Sequence, residues 1–157
     1  MELLNIIDKN IGMNNLFNLI TISVLLLASF ADIKNKKISI TFPFIQLIIS
    51  LIYRLYQINY SRNDIYEFLM SFIPGIILIV ICLVSGNSLG IGDGLMVLAL
   101  GPLLGMTDML VVLLAAFTFS AIVGAALLVT RKVNGKSTLA FIPFLTAGMG
   151  VLRFVFT

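Results

Sequence analysis

The sequence predicts an all-α, polytopic membrane bundle of about six transmembrane helices. Of 157 residues, 60% are hydrophobic and only 11% charged, whereas charged residues make up roughly a quarter of soluble domains. The apolar residues come in runs near the ~20 that cross a bilayer as helix. Charges, Gly and Asn gather between those runs, which marks loops at the membrane surfaces. The length fits one domain, residues 1–157, embedded in lipid throughout.

Taken in order, the first apolar segment runs from about Asn15 to Ala31. The second, about Ile40 to Ile58, opens at Pro43, which near a helix start loses no backbone hydrogen bond. It closes on Tyr53, Arg54 and Tyr56, an aromatic and snorkelling cluster suited to an interface. The third, about Phe68 to Val84, contains Pro74-Gly75, read as a kink within a membrane helix. Ser85 to Gly94, SGNSLGIGDG, is the most polar stretch of the apolar half. A short fourth segment, Leu95 to Met106, is interrupted by Gly101-Pro102, where a kink is preferred to a Gly101-x-x-x-Gly105 dimerisation face. The fifth spans Met109 to Thr130 and the sixth about Leu139 to Phe156. Met106, Met109 and Met149 are read as packing residues.

Loop charges orient the bundle, because Lys and Arg in short loops stay on the cytoplasmic side. With six crossings, one set of loops holds Lys34, Lys36, Lys37, Arg131, Lys132 and Lys136 with only Asp32 and Asp93, a net +4. The other set holds Lys9, Arg54, Arg62 and Arg153 against Glu2, Asp8, Asp64, Glu67 and Asp108, a net −1. Both termini are therefore expected outside, with the +4 face in the cytoplasm. The Lys34, Lys36 and Lys37 cluster reads as an orientation signal and headgroup anchor. Membrane lipid is one expected partner, and no removable signal peptide is read in MELLNIIDKN.

Absent residues narrow the chemistry. No His and one Cys exclude Ser-His-Asp and Cys-His catalysis, His-ligated zinc and an intrachain disulfide. No metal or other cofactor is expected. Cys82, inside ILIVICLV, is read as a small buried hydrophobe. A net charge of +3 spread over loops offers no basic stripe, so nucleic acid is not an expected partner.

Two carboxylates remain on the cytoplasmic face, each where an apolar segment meets a loop. An ionisable group at that boundary needs protein or water around it and is a functional candidate by default. Taken singly, Asp32 has a second reading as a partner of the nearby lysines, and Asp93 as a helix N-cap. Taken together, two close carboxylates share one proton and titrate as a unit. The ionised member can take a proton from a water attacking a peptide carbonyl while the protonated member donates to the carbonyl oxygen. Gly90, Gly92 and Gly94 permit positive φ and close backbone approach, so an extended substrate could lie beside Asp93.

Asp32 at the end of the first helix, GIGD at Gly90 to Asp93, and FIPFLTAG at Phe141 to Gly148 together resemble the type IV prepilin peptidases, GxGD aspartyl proteases of the inner membrane. The resemblance implies Asp32 and Asp93 as the catalytic pair, Gly90 and Gly92 as the active-site loop, and a dyad open to the cytoplasm. It implies prepilins or pilin-like precursors as substrates, cut between a short basic leader and a long hydrophobic helix. Family members commonly carry Ile-Pro where this chain has Ile38-Ser39, and Lys where it has Leu95. Larger members also carry a cysteine-paired N-terminal region linked to N-methylation. With the first helix near residue 15 and only Cys82 present, the chain resembles the compact members without methyltransferase activity.

Other readings are distinguishable by sequence. Presenilin-like GxGD proteases place Tyr-Asp in the earlier helix and Pro-Ala-Leu later; here Ala31 precedes Asp32 and no Pro-Ala-Leu occurs. A proton-coupled transporter would hold its acids near the midplane, and a non-catalytic pilus-assembly subunit would not cut a precursor. The sequence leaves oligomeric state open.

Overall fold

The computed structural model describes residues 2–35, 39–58, 65–84, 90–130 and 140–156. All regular structure among them is helical: α1 (Glu2–Asn35), α2 (Thr41–Ile58), α3 (Ile65–Met70), α4 (Ile73–Val84), α5 (Ile91–Val129) and α6 (Ile142–Phe156). Helices satisfy their own backbone groups, the requirement lipid imposes on any spanning segment. Gly12–Lys34, Ile65–Val84 and Ile91–Val129 are long and apolar enough to cross a membrane.

Large apolar side chains lie on both the inner and the outer surface. Leu25, Met96, Leu100, Val112, Leu145 and Met149 are buried in the core, while Leu27, Phe30, Leu114 and Phe154 stand exposed. A soluble helix would keep its outer face polar; helices apolar all round belong in lipid. The chain is a membrane protein.

The interruption foreseen at Pro74-Gly75 falls just before it. α3 ends at Met70, Ser71 and Phe72 form a turn, and α4 begins at Ile73. Pro74 thus occupies the first turn of α4, where its missing N–H costs nothing. Pro43 holds the same kind of position in α2.

α5 departs most from the sequence reading. Its Gly105 has φ 80° and ψ 173°, outside the helical region and in a conformation that favours glycine. A straight helix of 39 residues would be about 58 Å long. Instead, both its start and its middle meet the start of α6. Asp93 lies within electrostatic reach of Asp32, which accepts the Ile142 N–H, while Phe117 packs on Phe141 with ring centroids 5.3 Å apart. The chain therefore doubles back at Gly105 into limbs 91–104 and 106–129, the fourth and fifth predicted segments. With α3 and α4 as one pass, the chain makes six. The break expected between Met106 and Met109 falls at Gly105, among the described residues the one glycine with positive φ, whereas no non-helical residue marks the kink expected at Gly101-Pro102.

Close approach of backbones holds the passes together. A methyl group on Gly75 would collide with the Leu98 backbone, on Gly94 with Ile79, and on Gly101 with the Ser71 carbonyl. These contacts run antiparallel along α4 and the outgoing limb of α5, as small residues do where membrane helices meet. Gly148 gives α6 the same access to the Val112 carbonyl on the returning limb. On the other side, Gln46 of α2 donates to the buried Thr21 of α1 at 3.2 Å, and Phe17 meets Tyr53 at 5.2 Å between centroids.

Gly101→Ala should lower stability by about 1–3 kcal/mol, the usual cost of overpacking, because backbone atoms of Ser71 cannot rotate away. Gly150→Ala, with open space around it, should be neutral or gain up to about 1 kcal/mol in helix propensity. Thermal unfolding in detergent distinguishes the two; equal behaviour would contradict the close α4–α5 packing.

Candidate active site

Asp32 lies in the last turn of α1 and Asp93 in the first turn of α5. They are 5% and 7% exposed, whereas Glu67 and Asp108, the other acids whose side chains are described, are exposed. Ionised carboxylates in an apolar interior need hydrogen-bond partners or a charge to offset desolvation.

For Asp32 the partner is α6. The first N–H groups of a helix have no acceptor within it, and α6 carries no acidic residue in its first turn. The Ile142 N–H donates to Asp32 Oδ2 at 3.2 Å, and the Phe141 backbone also faces this carboxylate. An acid from α1 thus caps the positive end of α6, where the helix dipole favours negative charge. One turn deeper the two helices join again, the Ser29 and Thr146 hydroxyls lying 2.8 Å apart. At their far ends Arg153 donates to Asn18.

For Asp93 the partner is its own helix start. Gly90 is the N-cap of α5, with φ −69°, ψ 129° and no side-chain cap, and the Asp93 N–H donates to the Gly90 carbonyl at 2.9 Å. The carboxylate folds back over Gly90, where a methyl group would lie 3.2 Å from Oδ2. Beneath, the buried Cys82 thiol donates to the same carbonyl at 3.5 Å. Cys82 is a packing residue under the turn, as its setting in an apolar run predicts.

Some sequence expectations are revised here. Gly90 is the extended N-cap of α5 and Gly92 lies in its first turn, and Gly105 alone among the described glycines has positive φ. Close approach, not positive φ, accounts for Gly90 and Gly94. The N-cap is Gly90 and not Asp93. Asp32 is buried on α6 with no ion pair to the exposed Lys34 among the described residues; Lys36, Lys37, Ile38 and residues 85–89 lie outside them. Ser39 is exposed ahead of α2, its hydroxyl 3.0 Å from that of Thr41, and Leu95 is half-buried two residues beyond Asp93.

Sequence reasoning missed Ser29, Thr146 and the Ile142 amide. Ser29 had a signal, a polar side chain one turn before Asp32 in an apolar run; a backbone amide has none. Among the described residues, no three His, Cys, Asp or Glu side chains gather as a metal site would need.

An all-helical membrane bundle with two acids buried at one end defines the class. The chain belongs to the type IV leader peptidase family, which matches residues 19–125, both aspartates and the GIGD sequence included, and ends short of Phe141 to Gly148. It is a membrane peptidase of that family. No curated protein and no solved structure is significantly similar to it.

Ser29→Ala and Thr146→Val should each cost ~1 kcal/mol, the net worth of a hydrogen bond. The double variant should fall short of additivity by about 0.5 kcal/mol or more, since both singles break one shared bond. Strict additivity in chemical or thermal unfolding would remove the α1–α6 coupling.

Proposed function

We propose that the chain is an aspartic endopeptidase that removes the short basic leader of type IV prepilins or pilin-like precursors, with Asp32 and Asp93 as the catalytic pair. The observation that carries this reading is the burial of these two acids, from opposite parts of the chain, within electrostatic reach at one end of an apolar bundle.

The pair shares one proton. A water held between the carboxylates gives its proton to the ionised member as it attacks the scissile carbonyl, and the protonated member donates to the carbonyl oxygen. Collapse of the tetrahedral intermediate returns a proton to the leaving amine and restores the pair. Neither metal nor cofactor takes part in this cycle. The Ile142 amide orients one carboxylate and the Gly90 turn the other before substrate arrives.

The dyad end carries Lys34, which with the positive-inside bias assigns it to the cytoplasm and both termini to the outside of the cell's inner membrane. The hydrophobic helix of a precursor would lie in lipid against the bundle while its leader reaches the dyad from the aqueous side. Ser39 and Leu95 stand near this approach and would tune precursor choice. Residues 1–157 act as one peptidase domain.

Asp32→Asn and Asp93→Asn should each lower cleavage of a pilin-like precursor by roughly 10²–10⁴-fold or more, the contribution of a positioned acid or base, while Cys82→Ala cleaves normally. Gly90→Ala should also cut activity by displacing the Asp93 carboxylate. Electrophoretic assay of reconstituted, folded variants reads all four; full cleavage by either Asn variant would end the dyad assignment. Wild-type activity should follow a bell against pH, falling when both carboxyls are protonated and again when both are ionised. A profile with a single limb would speak against a shared proton.

A further inference from the structure

At the end of the bundle opposite Asp32 and Asp93, an open cleft of about 650 Å³ lies between the last turns of α2, α3, the Gly105 reversal and the last turn of α6. Two cations and two acids line it without pairing. The Arg54 guanidinium lies over the Phe68 ring, 5.8 Å from its centroid, with one buried terminal nitrogen lacking any hydrogen-bond partner. Arg153 spends one terminal nitrogen on Asn18 and leaves its buried Nε unpartnered. Tyr53 lines the cleft with both arginines. Glu67 and Asp108 line the same cleft and are exposed, yet neither forms an ion pair with Arg54 or Arg153 among the described residues.

Two guanidiniums lining one cleft repel each other, and buried N–H groups without acceptors are costly. An anion between them relieves both. The planar fork of Arg suits the oxygens of a phosphate, and the two free carboxylates suit a cation. The lining favours lipid as the source: Tyr53, Tyr66 and Arg54 are the amphipathic side chains that settle at headgroup level. Beside them the exposed Leu55, Leu69 and Leu110 offer an apolar path for acyl chains.

We propose that this cleft binds a zwitterionic phospholipid headgroup, its phosphate between Arg54 and Arg153 and its ammonium toward Glu67 and Asp108.

The test uses the full chain in a detergent free of phospholipid, with thermal unfolding followed during titration of phosphatidylethanolamine, phosphatidylglycerol, phosphoethanolamine or inorganic phosphate. Phosphatidylethanolamine should raise the midpoint by several degrees at concentrations where phosphatidylglycerol raises it less and the two soluble compounds leave it unchanged. Arg54→Gln should weaken the response about tenfold or more, as loss of a charge-assisted contact does. Because an arginine variant can fold poorly, Glu67→Gln and Asp108→Asn provide a second arm at exposed positions. They should keep the response to phosphatidylglycerol and lose the preference for phosphatidylethanolamine. Three results would overturn the proposal: no response to either lipid, an undiminished response in folded Arg54→Gln, or equal responses to the two lipids in the wild-type chain. A full response to phosphate or phosphoethanolamine alone would refute lipid as the source.

Discussion

A carboxylate buried among apolar helices survives only where the protein supplies what water no longer does, and this bundle buries two of them at one end. Asp32 resolves the problem by taking a hydrogen bond that α6 cannot satisfy internally. The desolvated acid and the unsatisfied helix start therefore answer each other's needs. That single contact fixes the register of α1 against α6, and the Ser29–Thr146 pair one turn deeper holds to the same register. A shift of either helix by one residue would take the Ile142 amide from the acid in a medium that offers no substitute, while the two hydroxyls would keep only the carbonyls of their own helices.

Asp93 reaches the same place by a different route. It is carried there by the outgoing limb of α5, which lies so close on α4 that Gly75, Gly94 and Gly101 leave no room for a methyl group. The reversal at Gly105 then returns the chain to pack on α6 through Phe117 and Val112. One helical stretch thus supplies an acid to the site and a wall to the helix that orients the other acid. Helix packing in lipid gains little from hydrophobic burial, so close backbone contact and hydrogen bonding must set the arrangement. The glycines and buried hydroxyls are the residues through which they do so.

The two ends of the bundle differ in kind. At one, two acids stand inside an apolar shell, an arrangement suited to moving a proton during peptide hydrolysis. At the other, two arginines, two acids and two tyrosines line an open cleft. The polar contacts between α1 and α6 run between them, from Asp32 and Ile142 to Asn18 and Arg153. In the functions proposed above, the first end acts on a precursor and the second holds a lipid headgroup.

Much of this was legible in the sequence because lipid leaves few options. An apolar run must be a helix, loop charges fix its direction, and a lone acid beside such a run must have a reason to be there. Hence six passes and two anomalous acids, Asp32 and Asp93, can be read from residues alone, and the FIPFLTAG stretch marks the start of α6. Sequence could not show that Asp93 sits within a helix start capped by Gly90, because its neighbouring glycines suit a loop equally well. It placed a break between Met106 and Met109 but could not assign the turn to Gly105, since φ at a glycine is chosen by the packing around it. The Ile142 amide, which every residue but proline would offer, became the partner of Asp32 only through the meeting of two helices 110 residues apart. Composition and pattern determined which segments cross and which acids are anomalous; the tertiary structure alone decided their partners, because a hydrogen bond between distant helices depends on register and distance, which no local pattern encodes.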